Sequence, residues 1–201
     1  MRTLKENFFG NLGIGHEAKR NLIEQWLKKY RIFYNYTINL DLTIDVDGNV
    51  NLHNYPDKEL PDYIQFNIVK KTFDISFSNI ISLRGCPKEC KEFNCDCCEN
   101  LTSLEGAPKE CEFFYCNNCE NLTSLEGAPT KCPIFDCQRC NSLASLKGSP
   151  KECELFNCSY CEKLTSLKGA PKKCEEFKCN SCGFTEKDVK KVCNAKIIYC
   201  N

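Results

Sequence analysis

Apolar and polar positions recur with a fixed period through half of the chain. From Asn79 to Gly183 the sequence divides without gaps into five units of twenty-one residues. They read "NIISLRGCPKECKEFNCDCCE", "NLTSLEGAPKECEFFYCNNCE", "NLTSLEGAPTKCPIFDCQRCN", "SLASLKGSPKECELFNCSYCE" and "KLTSLKGAPKKCEEFKCNSCG". Unit positions 4, 5, 7, 9, 12, 15, 17 and 20 hold Ser, Leu, Gly, Pro, Cys, Phe, Cys and Cys every time. Around position 15 the pattern alternates, which predicts a short strand. Phe114 and Cys116 then point inward, and Phe113 and Tyr115 outward. Gly127 and Pro129 turn the chain back. One unit has too few apolar residues to fold alone, so the units must stack and share a core. A repeat solenoid of parallel strands is the expected fold.

The pattern degenerates at both ends, as expected of terminal units. "TFDISFSNIISL" reads as a divergent unit with Phe73 and Ile75 inward, Ser78 at the turn and Ile80 following. "NVNLHNYPDKELPDY" reads as an earlier one, with Val50 and Leu52 inward and Leu60-Pro61 at the turn. Asp47-Gly48, inside "LTIDVDGNVNL", predicts a hairpin. Residues 3–33 are expected to be helical, with a capping box between Thr3 and Glu6. Leu22, Ile23, Trp26, Leu27 and Tyr30 follow a helical period that would pack on the first strand. "TEKDVKKVC" predicts a short helix from Thr185, and "AKIIYC" a closing strand. The expected organisation is a helical cap over 1–43, divergent capping repeats over 44–78, five repeats over 79–183 and a C-terminal cap over 184–201.

Across a unit boundary the chain reads C-x-x-F-x-C-x-x-C-x-x-L-x-x-L. This resembles the leucine-rich-repeat pattern L-x-x-L-x-L-x-x-N/C-x-L, whose period is about 20–29 residues. Cys111, Phe114 and Cys116 take the apolar strand positions, Cys119 the Asn/Cys position, and Leu122 and Leu125 follow. One extra residue precedes the next Leu, as in cysteine-type repeats. The chain is similar to the short leucine-rich repeats of bacterial effector proteins, and more so to "NLTSLEGAPKEV"-type repeats of bacteriophage and bacterial genomes. The resemblance covers about residues 44–201. It implies a curved array with strands on the concave face, an irregular convex side, a helical N-terminal cap and a protein-binding role. A phage-encoded inhibitor of a host or defence protein would fit it. Effectors of this kind can carry a separate ubiquitin-ligase domain, and none is expected after Asn201.

Composition narrows the partners. Twenty-seven basic and twenty-seven acidic residues give zero formal charge, so the basic excess of a general nucleic-acid binder is missing. No apolar run approaches the roughly twenty residues of a membrane span. "MRTLKENFFGNLGIGHEAKR" lacks the apolar segment of a signal peptide. A cytoplasmic location is expected (the host cytoplasm, for a phage protein), where thiols stay reduced.

Against that background nineteen cysteines are the anomaly. They can be small core and turn residues, recurring because the repeat recurs. They can supply thiolates to zinc or an iron–sulfur cluster through the pairs Cys95/Cys98, Cys116/Cys119, Cys137/Cys140, Cys158/Cys161 and Cys179/Cys182. They can also form disulfides between stacked units, since neighbouring strands lie at about the right spacing. The repeat explains the spacing without a cofactor. Cys86 and Cys97 stand outside the repeated positions, and Cys97 leans outward.

Function is expected on the outward strand positions 14, 16 and 18 and at the strand exit, position 19. Position 14 runs Glu92, Phe113, Ile134, Leu155, Glu176: three apolar side chains between carboxylates. Position 16 runs Asn94, Tyr115, Asp136, Asn157, Lys178, and position 19 adds Arg139 and Tyr160. Such composition marks interfaces. The candidate partner-binding residues are therefore Phe113, Tyr115, Ile134, Asp136, Arg139, Leu155 and Tyr160. Position 6 (Arg84, Glu105, Glu126, Lys147, Lys168) reads as a solvated face. No catalytic residue is expected: the histidines are His16 and His53 alone, and nucleophile, P-loop and metalloprotease motifs are missing. The glycine-rich "GNLGIG" follows no strand.

Overall fold

The computed structural model describes residues 15–33 and 35–200. Ten strands form one sheet: β1 (Tyr36–Ile38), β2 (Ile44–Val46), β3 (Val50–Asn51), β4 (Phe66–Asp74), β5 (Glu89–Asn94), β6 (Phe113–Tyr115), β7 (Ile134–Asp136), β8 (Glu152–Asn157), β9 (Lys173–Lys178) and β10 (Asn194–Tyr199). β1 pairs with β2 antiparallel, and every later pairing is parallel. From β4 each strand lies beside the next in sequence. The chain is a parallel-strand solenoid.

One residue per turn shows why the units must stack. Phe73, Phe93, Phe114, Phe135, Phe156 and Phe177 are each fully buried. Their rings form a continuous ladder, with centroids 5.1–5.6 Å apart. Burying each ring contributes about 2–3 kcal/mol, but only a neighbouring turn can cover it. Leu101, Leu104, Leu122, Leu125, Leu143 and Leu146 fill the other side of the same core with no exposure. Between them the glycine of position 7 lets successive turns touch. Gly127 has φ +94°, and a Cβ there would lie 2.4 Å from the Leu104 carbonyl.

The divergent units follow the same plan. Phe73, Ile75 and Ile80 have no exposure, and Val50 and Leu52 are buried. Ser78 takes the place of the turn cysteine: its Oγ accepts from the Tyr55 amide at 2.9 Å and donates to the Leu52 carbonyl.

The expected hairpin at Asp47-Gly48 is not formed. β2 and β3 do not pair with one another; both lie parallel to β4, with Val46 opposite Val69 and Val50 opposite Phe73. A two-residue hairpin of the Asp-Gly type needs positive φ at both central residues, and neither Asp47 nor Gly48 has it. Burial decides the outcome. Val46 and Val50 both enter the solenoid core, and the intervening bulge bonds sideways to β4 through Lys71 N–H to Gly48 O and Thr72 N–H to Asn49 Oδ1. The hairpin that does form joins β1 to β2.

Helix α1 spans His16–Lys29, begins after Gly15 without a side-chain cap, and buries Ile23, Trp26 and Leu27. Trp26 packs on Tyr55 and Phe66, and Tyr30 on Tyr55. This closes the first turns of the core. The predicted capping box at Thr3 and Glu6, the helix before residue 15 and most of "GNLGIG" lie outside the described residues. At the other end α2 (Glu186–Lys190) starts at Thr185 with a capping box to Asp188, and β10 follows. Among the described residues no helix is long and apolar enough to cross a membrane.

Candidate protein-binding face

The parallel register aligns the outward side chains into rows. Glu92, Phe113, Ile134, Leu155 and Glu176 are direct neighbours across β5 to β9, as are Asn94, Tyr115, Asp136, Asn157 and Lys178. Phe113, Ile134 and Leu155 are half-buried, each followed by a fully buried phenylalanine. Phe114, Phe135 and Phe156 next to them carry the core, so the outer three are available at the surface without being needed inside.

β10 extends both rows. Ile197 pairs with Glu176 and Tyr199 with Lys178, and both are exposed, at 47% and 42%. Lys178 Nζ lies 5.4 Å from the Tyr199 ring centre and 3.2 Å from Glu176 Oε2. Neither Ile197 nor Tyr199 was among the residues predicted from the sequence. The signal was there: "IIYC" has the spacing of "LFNC" and "EFKC".

Position 18 does not belong to the face. Ser76, Asn117 and Ser159 are buried, and this column holds the turns together. Asn117 N–H donates to Asp96 Oδ1 at 2.6 Å, Gln138 N–H to Asn117 Oδ1 at 3.0 Å, and Asn180 N–H to Ser159 Oγ at 3.1 Å. Burial pushes the Asp96 carboxyl up to about 6, despite that amide bond. Asp136 also has its pKa raised by burial, and it accepts from Gln138 N–H and Asn157 Nδ2. The Asp136 carboxylate is thus partly committed to the fold, unlike its neighbour Tyr115.

The strand exits form a ridge beside the rows. Phe77, Cys97, Asn118, Arg139, Tyr160 and Ser181 all have φ between 55° and 61°. In this left-handed region a side chain other than Gly, Asn or Asp costs about 1–2 kcal/mol. Asn118 suits it; Arg139, Tyr160 and Phe77 do not. Tyr160 is 43% exposed and Phe77 56%, so burial does not offset the strain. The Arg139 guanidinium stands 5.4 Å from the Tyr160 ring centre. The conformation recurs in every turn and so belongs to the repeat; at Arg139, Tyr160 and Phe77 it holds exposed side chains beside the rows. Phe77 was also absent from the sequence prediction; it reads as strand end until the turn conformation is known.

The cysteines lie behind this face. Position-17 thiols donate forward to the next turn: Cys95 to Tyr115 O at 3.4 Å, Cys116 to Asp136 O at 3.6 Å, Cys137 to Asn157 O at 3.3 Å and Cys158 to Lys178 O at 3.4 Å. Position-20 thiols donate backward: Cys98 to Ile75 O, Cys119 to Cys95 O, Cys140 to Cys116 O, Cys161 to Cys137 O and Cys182 to Cys158 O, all at 3.1–3.3 Å. The two sulfurs of each C-x-x-C therefore aim in opposite directions along the stack. Burial raises the Cys95, Cys116, Cys137 and Cys158 thiols well above their usual range. Partial burial also raises the Cys97 thiol, with Asp96 adding to it. Among the described residues, no group of three or more His, Cys, Asp or Glu side chains could hold a metal ion.

Two shallow grooves of about 470 and 590 Å³ run along the strand entrances, over Cys90, Cys111, Cys132 and Cys153. Their rims are ion-paired between turns, as in Lys131–Glu110 at 3.1 Å, Lys91–Glu112 at 3.8 Å and Lys196–Glu175 at 2.7 Å. Charges already matched within the fold offer a partner less than the unpaired aromatic rows. On position 6, Glu126–Lys147 and, through Asp62, Arg84 form exposed ion pairs. Both histidines make structural contacts, His16 Nε2 with Leu40 O and His53 Nδ1 with Ser76 Oγ. No protein-family model, curated protein or solved structure matches the chain.

Proposed function

We propose that the protein is a non-enzymatic recognition module that binds a partner protein on the outer face of its sheet. The carrying observation is the row Phe113, Ile134 and Leu155, flanked by Tyr115 and by the strained, exposed Arg139 and Tyr160. Apolar side chains at the centre with Tyr, Arg and carboxylates at the rim form the usual anatomy of an interface. Ile197, Tyr199 and Phe77 widen the surface. The leucine-rich-repeat resemblance supports the same face, since that fold would place it on the concave side. The likeness to phage and bacterial repeats extends the proposal to an inhibitor of a host or defence protein.

The test is capture from a host lysate on immobilised protein. Wild type and a control with Glu105 and Glu126 changed to Gln should retain the same partner. The triple variant Phe113→Ser, Ile134→Ser, Leu155→Ser, folded by circular dichroism, should lose it. Undiminished capture by the triple variant would refute the proposal.

A further inference from the structure

Two cysteine columns of the array end in pairs that differ from the rest. In the interior, position-17 thiols donate to carbonyls of the next turn, and Cys111 Sγ and Cys132 Sγ are 3.7 Å apart. At the last turn Cys193 Sγ lies 3.1 Å from Cys174 Sγ, and Cys200 Sγ lies 2.8 Å from Cys179 Sγ. Both separations are shorter than the roughly 3.5–4.0 Å at which nonbonded heavy atoms sit best.

The register favours a bond at Cys179–Cys200; at the other pair Ala195 stands opposite Cys174, and Cys193, just before β10, meets Cys174 through the sulfurs alone. β9 and β10 are adjacent parallel strands, with Tyr199 opposite Lys178, so Cys200 follows directly opposite Cys179. Neighbouring strands lie about 4.8 Å apart, within the roughly 4.4–6.8 Å that bridged Cα atoms span. The pairs flank β10 at its start and its end. Among the described residues that strand is the edge of the sheet and has a single neighbour, so it opens more readily than the interior.

We propose that Cys174–Cys193 and Cys179–Cys200 form disulfides that latch the terminal strand to the array when a low-molecular-weight disulfide such as oxidised glutathione is present. Cys200 is partly exposed and offers the entry point. Its thiolate attacks one sulfur of the oxidant and expels the other as a thiolate. Cys179 then attacks the Cys200 sulfur of the mixed disulfide and expels the second. Two cysteine S–H protons are lost, one S–S bond forms, and the oxidant disulfide is reduced to two thiols. Cys174 and Cys193 are buried, so their bridge forms by the same exchange as β10 frays.

The test uses the full chain, incubated with oxidised glutathione, alkylated and digested with trypsin. Cleavage after lysine places the four sulfurs on separate peptides: "CEEFK", "CNSCGFTEK", "VCNAK" and "IIYCN". Linked "CEEFK"–"VCNAK" and "CNSCGFTEK"–"IIYCN" are expected, with fragmentation placing the second bond on Cys179 and not Cys182. Amide exchange in β10 should slow by about a hundredfold on closing loops of this length. Cys193→Ser and Cys200→Ser should each abolish one link and leave the other, which separates loss of the bond from loss of the fold. Full alkylation of all four thiols, a stable glutathione adduct at Cys200, or bridges on Cys153 (which also contacts Cys174) would overturn the proposal.

Discussion

Gly127→Ala and Gly183→Ala make the same chemical change at two glycines of positive φ, and the structure predicts different costs. Gly183 has φ +75° with nothing within 4 Å of an added Cβ. Its substitution should cost only the conformational penalty of a left-handed alanine, about 1 kcal/mol. Gly127 has φ +94°, and the added Cβ would meet Leu104 C and O at 2.4 Å and Glu105 N at 2.5 Å. These are backbone atoms of the preceding turn and cannot swing aside. The conformational penalty remains, and separating two packed turns adds about 1–3 kcal/mol more. The total is roughly 2–4 kcal/mol. For a chain of this size about 1 kcal/mol shifts Tm by roughly 2–4 °C. Gly127→Ala should therefore lower Tm by about 10 °C and Gly183→Ala by about 3 °C, read by circular dichroism and by urea midpoints. Equal effects at the two sites would refute close contact between turns as the reason for the repeated glycine.

Three other substitutions test separate parts of the structure. Phe135→Ala removes a fully buried ring that stacks on both neighbours, at 5.1 and 5.6 Å; it should cost about 4 kcal/mol in urea unfolding. Tyr160→Asn places a residue suited to φ +61°; stability should hold or rise by up to about 1 kcal/mol while partner capture weakens. Asp96 has its pKa raised to about 6 by burial, so the folded state holds its proton more tightly than the unfolded one. This group's contribution is most favourable below the usual carboxylate range and is lost as pH rises from about 4 through 6. Asp96→Asn should flatten the wild-type fall in unfolding free energy, read from urea curves across that window, by about 1–2 kcal/mol after allowing for partial solvent screening.

The spacing of Phe114, Cys116, Cys119, Leu122 and Leu125 was sufficient to read the core, because each recurs at the same depth in every turn. The same periodicity placed Phe113, Ile134 and Leu155 in one outward row. Three features were not legible for physical reasons. Asp47-Gly48 has the composition of a turn, but Val46 and Val50 gain more by entering the core beside β4 than a hairpin would return. Position 18 alternates outward on paper, yet the left-handed residue after it rotates its side chain onto the next turn's amide, as Asp96 does with Asn117. The strain at Arg139 and Tyr160 is a backbone property that no residue type announces. Ile197 and Tyr199 were missed because the last unit keeps the strand spacing and drops the turn consensus.

The most direct measurement is site-specific photocrosslinking to a captured partner. A photoreactive phenylalanine at position 134 would stand in the centre of the apolar row, and one at position 126 on the exposed position-6 column. Crosslinks from 134, with none from 126, are predicted. Crosslinks from 126 with none from 134 would contradict recognition through the outer strand face.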